Sequence, residues 1–353
     1  MSTTPKYNFP PESYNRMLPQ RFTELGINSL RQVCPSINTI NQHLYSEDQL
    51  TEANSSRIHL EKEPITLSPK RQDIIISAVD TSTIKIGETR TGIVVALRGA
   101  LVWKRNRNYN YTRLGPFIFH ITEENKAIIY GNLERDCFGL RIHEKHTPAL
   151  TLFQMPLRLC NLFERWLQSN LSTKIREGLI LLDGSLTAGT VDAPLKRIRE
   201  ILSNARNNSS TVLAFSKATS LRSNGYLITE IIPNRDPPYL LKTTGFKSKS
   251  PFTLLGEVYV ARLNKSNISF RLDIDQQLSA SEHKEAVEKL IGNDALEQGY
   301  PETLRLAHIL CTFTATEVLA IQHFVARNYR IQIINRPDMH RLLFGPFGRE
   351  SLA

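Results

Sequence analysis

Three observations predict an α/β fold. Apolar runs of strand length recur along the chain, as in "DIIISAV", "LILLD", "TVLAF" and "GEVYVARL". Between them lie segments whose apolar residues repeat at three and four, as in "QMPLRLCNLFERWLQSNLS" and "APLKRIREILSNAR". A chain of 353 residues, 41% hydrophobic, can bury a large core between layers of such elements. One main domain over residues 71–353 is expected, with an N-terminal arm over 1–70.

Taken in order, the arm is polar and rich in Pro, Ser and Asn, with short apolar stretches ("INSLRQV", "INTINQHL") that read as a loosely packed helical element. From Asp73 the character changes: "DIIISAV" reads as a buried strand ending on Asp80, and "GIVVALRGALVW" as its hairpin partner. In "KRNRNYNYTR", Lys104, Arg105, Arg107 and Arg113 are interleaved with Tyr109 and Tyr111, a pattern that suits phosphates and stacked bases as well as a solvated hairpin tip. The helix at 154–172 carries Leu157, Cys160, Leu167 and Leu171 on one stripe, with Glu164 among them. A carboxylate there needs a cation, either a metal or a neighbouring Arg158 or Arg165. "GLILLDGSLTAG" is a strand delivering Asp183 to a turn, and Asp-Gly is also ordinary turn chemistry. A basic helix and the strand "TVLAF" lead into "SKATSLRSNG", where Lys217, Ser220 and Arg222 are phosphate-contacting types. "YLITEII", "GEVYVARL" and "NISFRLDI" read as strands. From Pro301 one long apolar helix is expected, with His308 set among Leu304, Ala307, Cys311 and Phe313 as a core residue or a ligand.

Composition excludes several classes. Lys plus Arg exceed Asp plus Glu by 44 to 34, a net charge of +10 that favours a polyanionic partner such as nucleic acid. Four scattered cysteines (Cys34, Cys137, Cys160, Cys311) form no CxxC pair, which argues against a zinc module or a disulfide framework and suits a reducing, cytoplasmic setting. The N-terminus has no signal-peptide core, and no apolar run is expected to reach membrane-spanning length. There is no GxxxxGK[ST] loop, no GxGxxG after a strand and no nucleophile elbow around Ser185, so nucleotide-driven and serine-hydrolase chemistry are unsupported.

What remains is a set of acids. Asp80 and Asp183 each close an apolar run, Glu164 lies on an apolar helix, and His308 lies on another. Brought together, three carboxylates repel unless a divalent cation sits between them, and an oxygen-rich set with one nitrogen suits Mg²⁺ or Mn²⁺. On a phosphodiester, such ions activate water and stabilise the leaving oxygen.

The ordered set "IISAVDTS", a helix bearing a glutamate, "LLDGSLT", "AFSKATSL" and "GYPETLRLAH", over roughly residues 73–335, resembles the NurA nuclease family. The resemblance implies an RNase H-like core of mixed sheet flanked by helices. It also implies Mn²⁺-dependent 5′-to-3′ exonuclease and single-strand endonuclease activity, a homodimer, and a hexameric HerA-type ATPase partner in DNA-end resection at double-strand breaks. Residue by residue it points to Asp80, Glu164, Asp183 and His308 as catalytic metal ligands. Two positions depart from the family pattern. Thr81 follows Asp80 where glycine is common, and Leu304 stands where some members carry an aromatic, whose role in positioning DNA is then either vacant here or taken by Tyr300. A silent RNase H-like binding or scaffold subunit is the alternative reading.

Overall fold

The computed structural model describes residues 17–31, 58–139 and 151–334, apart from residues 62, 232, 234, 247 and 249. The stretch "INTINQHL" and Cys34 lie outside the described residues, with the rest of the arm at 1–16 and 32–57. The described part of the arm is not loosely packed. Helix α1 (Met17–Arg31) lies on the sheet with Phe22 wholly buried against Phe117 and Phe163.

Ten strands form one sheet. They are β1 (His59–Leu60), β2 (Ile65–Thr66), β3 (Ile75–Glu88), β4 (Gly92–Arg105), β5 (Asn108–Thr122) and β6 (Leu179–Asp183). The remainder are β7 (Thr211–Ser216), β8 (Tyr239–Thr244), β9 (Gly256–Arg262) and β10 (Phe270–Asp275). Their order is β1-β8-β9-β10-β7-β6-β3-β4-β5, with β2 also on β8. Within it, β3, β4 and β5 form an antiparallel meander, while β6 and then β7 add parallel to β3 on its other side. That order and those directions are those of the RNase H-like core that the motif resemblance implies.

The period-two alternation sorts each central strand between two layers. Val79, Ile180 and Leu182 face α3 (Met155–Lys174) and α4 (Leu195–Asn207), together with α2 (Lys126–Phe138). Ala78, Leu181, Leu213 and Phe215 face α5 (Ala280–Asn293) and α6 (Glu302–Cys311). A further helix, α7 (Ala315–Tyr329), packs Ile321 and Val325 on the far ends of β3 and β4.

Four expectations are corrected. Strand β3 does not end at Asp80 but runs eight residues past it to Glu88, because the β-branched Thr81, Thr83 and Ile84 continue the pleat opposite β4. "YLITEII" is not a strand: Asn224 and Gly225 both take positive φ, closing a two-residue hairpin of Arg222–Ser223 with Tyr226–Leu227, and a short 3₁₀ turn follows. Leu157, expected on the core stripe of α3, is exposed, whereas Cys160, Leu167 and Leu171 are buried. The long C-terminal helix is two helices.

At that break the Thr314 hydroxyl accepts from the Glu317 amide while the Glu317 carboxylate accepts from the Thr314 amide, a capping box that restarts the helix after Cys311. Arg98, buried on β4, fixes the junction by donating to the Thr312 carbonyl at 2.9 Å and to both Glu317 carboxylate oxygens. Glu302–Tyr329 is long and apolar enough by composition to cross a membrane, contrary to the expectation that no run would be. Divided into helices of 10 and 15 residues, neither piece reaches the roughly 20 residues a span requires.

Candidate metal centre

Asp80 and Asp183 come side by side through strand register. Parallel pairing of β3 with β6 matches Ile76 to Leu179 and Ala78 to Leu181, and ends there. Two residues further on, Asp80 and Asp183 share that register and therefore one face, the face toward α6. Asp80 is nearly buried, with Oδ1 accepting from the Thr81 amide at 2.7 Å and Oδ2 paired with His308 Nδ1 at 2.7 Å. Asp183 sits where β6 leaves the sheet, and Gly184 takes φ +102° so that its amide reaches the Phe215 carbonyl at 2.8 Å.

Glu164 approaches from the α3 side. Gln168 Nε2 donates to its Oε1 at 2.7 Å, and the Thr81 hydroxyl lies 3.4 Å from Oε2. Desolvation raises the Glu164 carboxyl to about 7; Arg165 opposes this, while the negative charges of Asp80 and Asp183 add to it. Both aspartates therefore lie within electrostatic reach of Glu164. Of the cations expected beside Glu164, Arg158 is engaged by Asp192 at 2.7 Å, and Arg165 donates to Gln168 while acting on Glu164 through its charge. His308 is not a core histidine: its side chain is 52% exposed at the rim of the site.

Lys217 closes the other rim, its ammonium 2.6 Å from Asp183 Oδ2. Ser220 and Arg222 lie exposed on the same outlet of the sheet, past β7, with Arg222 donating to the Gly225 carbonyl of its own hairpin. Arg105 and Arg107 are elsewhere. Arg105 pairs in register with Ile75, five residues from Asp80 and so on the order of 16 Å away along the strand. There it meets Asp73, and the neighbouring Tyr109 hydroxyl donates to Asp294. Tyr300 does not offer its face to solvent; it is buried against Phe215 and Phe270. Its hydroxyl has no hydrogen-bond partner among the described residues, and burial together with the charges of Asp183 and Asp80 pushes the phenol up.

These observations fit a divalent cation. Burial first, and the neighbouring aspartates after it, hold the Glu164 carboxyl near neutrality, and the buried Tyr300 hydroxyl near Asp80 and Asp183 has unmet hydrogen-bonding capacity among the described residues. Among the described residues, one ligand atom each from Asp80, His308 and Cys311 lies within 4.8 Å of the others, while Asp183 and Glu164 neighbour Asp80 through register and charge.

Two features escaped the sequence reading. Arg271 and Asp273 form a buried two-point ion pair at 2.8 and 2.9 Å, and Asp273 also accepts from the Leu186 amide, so it anchors the turn that presents Asp183. The signal was present: two opposite charges two residues apart in "FRLDI" share one strand face. The thiols of Cys160 and Cys311 flank Asp80, the first 3.1 Å from the Thr81 hydroxyl. Nothing in the cysteine spacing of the sequence marks them.

No family model matches the chain, and no curated protein matches it. Among solved structures, the NurA nuclease from Sulfolobus solfataricus is similar at 15% identity and a TM-score of 0.43, over 75% of this chain and 88% of that one. A NurA structure with manganese aligns at 9% identity and TM-score 0.35, over 88% and 99%. An endonuclease V from Bacillus subtilis aligns at 11% and 0.31, over 75% and 88%. Likeness at these TM-scores transfers neither family nor activity to this chain.

Proposed function

We propose that this protein is a divalent-metal-dependent deoxyribonuclease. The observation that carries the reading is the shared register of Asp80 and Asp183 on two neighbouring strands, both within electrostatic reach of Glu164 on a helix, with His308 on Asp80. Asp80, Asp183, Glu164 and His308 would hold the ions, Mn²⁺ or Mg²⁺. Bound there, the metal would supply an activated water and charge stabilisation at the leaving oxygen. The chain's own groups do the rest. The turn held by Asp273 fixes where Asp183 points. Gln168 and Thr81 orient the Glu164 carboxylate. Lys217, which pairs with Asp183 at 2.6 Å, would be free to hold a phosphate were that carboxylate to serve an ion, with Ser220 and Arg222 extending the basic outlet.

The motif resemblance supports the finer assignment: 5′-to-3′ exonuclease and single-strand endonuclease action in double-strand break resection, as a homodimer with a hexameric HerA-type ATPase. The test is digestion of end-labelled duplex and single-stranded DNA with Mn²⁺, Mg²⁺ or EDTA. Cleavage is expected with metal and is expected to be lost in Asp183→Ala; cleavage by a folded Asp183→Ala protein free of contaminating nuclease refutes the assignment. The alternative, a catalytically silent DNA-binding subunit, is favoured by one observation: Asp183 is already capped by Lys217 and Asp80 by His308. Tight DNA binding without cleavage, even with a HerA-type partner added, would establish it.

A further inference from the structure

The donor set around Asp80 is not made of oxygen alone. One ligand atom from each of Asp80, His308 and Cys311 lies within 4.8 Å of the other two. His308 and Cys311 are three residues apart on α6 and so on adjoining positions of one helix face, and that face lies on β3. Cys311 is fully buried, with its thiol directed to the His308 carbonyl at 3.2 Å, whereas His308 is half exposed and gives an ion a way in.

We propose that Asp80, His308 and Cys311 form a three-ligand site for Zn²⁺, which draws Asp80 and His308 away from the set that the proposed function has them share with Asp183 and Glu164. Sulfur, nitrogen and carboxylate oxygen are the ligand types Zn²⁺ takes, with bonds near 2.3, 2.0–2.1 and 2.0–2.2 Å respectively. Donors on a tetrahedral ion with those bonds stand roughly 3.2 to 3.8 Å apart, so the trio needs side-chain shifts of about an ångström. The contact between His308 Nδ1 and Asp80 Oδ2 must open, and the Cys311 thiol must lose its proton to solvent. The Thr81 amide already holds Oδ1 of Asp80, which leaves Oδ2 for the ion. Mg²⁺ and Mn²⁺ gain little from a thiolate, so the site selects the softer ion. An ion bound there withdraws Asp80 from the pair it forms with Asp183.

The test reads binding, not cleavage. The full chain, reduced and anaerobic, is titrated with Co²⁺ as a spectroscopic stand-in, then with Zn²⁺ in competition. The expected result is a thiolate-to-cobalt charge-transfer band that saturates at one Co²⁺ per chain. That band should vanish in Cys311→Ser and persist in Cys160→Ser, and Zn²⁺ affinity should fall at least roughly tenfold in Cys311→Ser and in His308→Ala. Survival of the band in a Cys311→Ser protein with wild-type near-ultraviolet circular dichroism overturns the proposal, as does loss of the band in Cys160→Ser alone. Should Cys311→Ser fail to fold, X-ray absorption of the zinc-loaded wild type decides: a sulfur neighbour at about 2.3 Å supports the site and its absence overturns it. Failure of the nuclease assay leaves these readouts intact, and a missing band leaves the carboxylates available to Mn²⁺.

Discussion

Glu164→Gln should stabilise the metal-free protein, and more so as pH rises. In the fold the Glu164 carboxyl is raised from 4.5 to about 7, first by desolvation and then, against Arg165, by Asp80 and Asp183. A folded state that holds a proton more tightly than the unfolded chain keeps its full stability below pH 4.5 and loses it as pH climbs through about 7. At about 1.4 kcal/mol per tenfold change in proton affinity, the gap corresponds to roughly 3 kcal/mol at pH 8. Glutamine mimics the protonated acid and still accepts from Gln168 through its amide oxygen. Urea denaturation of both proteins in EDTA from pH 5 to 8.5 should show the variant ahead by up to that amount at the alkaline end, with the difference closing toward pH 5. Excess Mn²⁺ at pH 8 should stabilise the wild type more than the variant. A pH-independent difference, or a wild type more stable at pH 8 without metal, would refute the electrostatic account of the site.

Asp273→Ala should cost about 3–5 kcal/mol in urea melts, because the buried Arg271 guanidinium loses its two-point carboxylate; any cleavage activity left in folded protein should fall too, since the Leu186 amide loses its anchor. Glu317 is held down at about 2, first by its hydrogen bond from Arg98, so the stability it lends is present above pH 4.5 and fades as pH falls toward 2. Glu317→Gln should flatten that part of the acid-denaturation curve, and an unchanged curve would count against the Arg98 clamp. Lys217→Ala should weaken DNA binding across sequences, with a salt slope shallower by about one, read by fluorescence anisotropy between 50 and 200 mM salt.

The sequence made the core strands and the acids legible because both announce themselves locally. "LILLD" and "TVLAF" are uniform apolar runs that only a strand covered on both faces can use, and the aspartate after "LILL" is conspicuous. What failed was the prediction of where elements stop. The Asp80 strand was cut short because aspartate is a poor strand former in isolation, whereas opposite Ala100, with β4 complete beside it, the pleat continues. The C-terminal helix was overextended because a capping box of Thr314 and Glu317 is easily hidden in an apolar stretch, and the arginine that stabilises it lies more than two hundred residues away. His308 stays open between core and ligand in the sequence for a related reason: position in an apolar helix fixes a face, but only the break after Cys311 and the packing of α6 on β3 decide which face is covered. The basic tip at Arg105 and Arg107 looked functional by composition, and its distance from Asp80 is a matter of register that composition cannot carry.

The shared register of β3 and β6 has an evolutionary reading. Pairing ends at Ala78 and Leu181, two residues short of each aspartate, so both acids project from the same side only because each strand counts an even number of residues beyond its last hydrogen-bonded partner. Between residues 81 and 178 the chain makes a hairpin, a third strand and two helices, and insertions in the connections there leave that count untouched. A single residue added between Ala78 and Asp80, or between Leu181 and Asp183, would send one acid to the opposite layer. Descent with change should therefore permit loops in this protein to grow freely while two tripeptides, Ala78–Asp80 and Leu181–Asp183, remain fixed in length whatever their middle residue becomes.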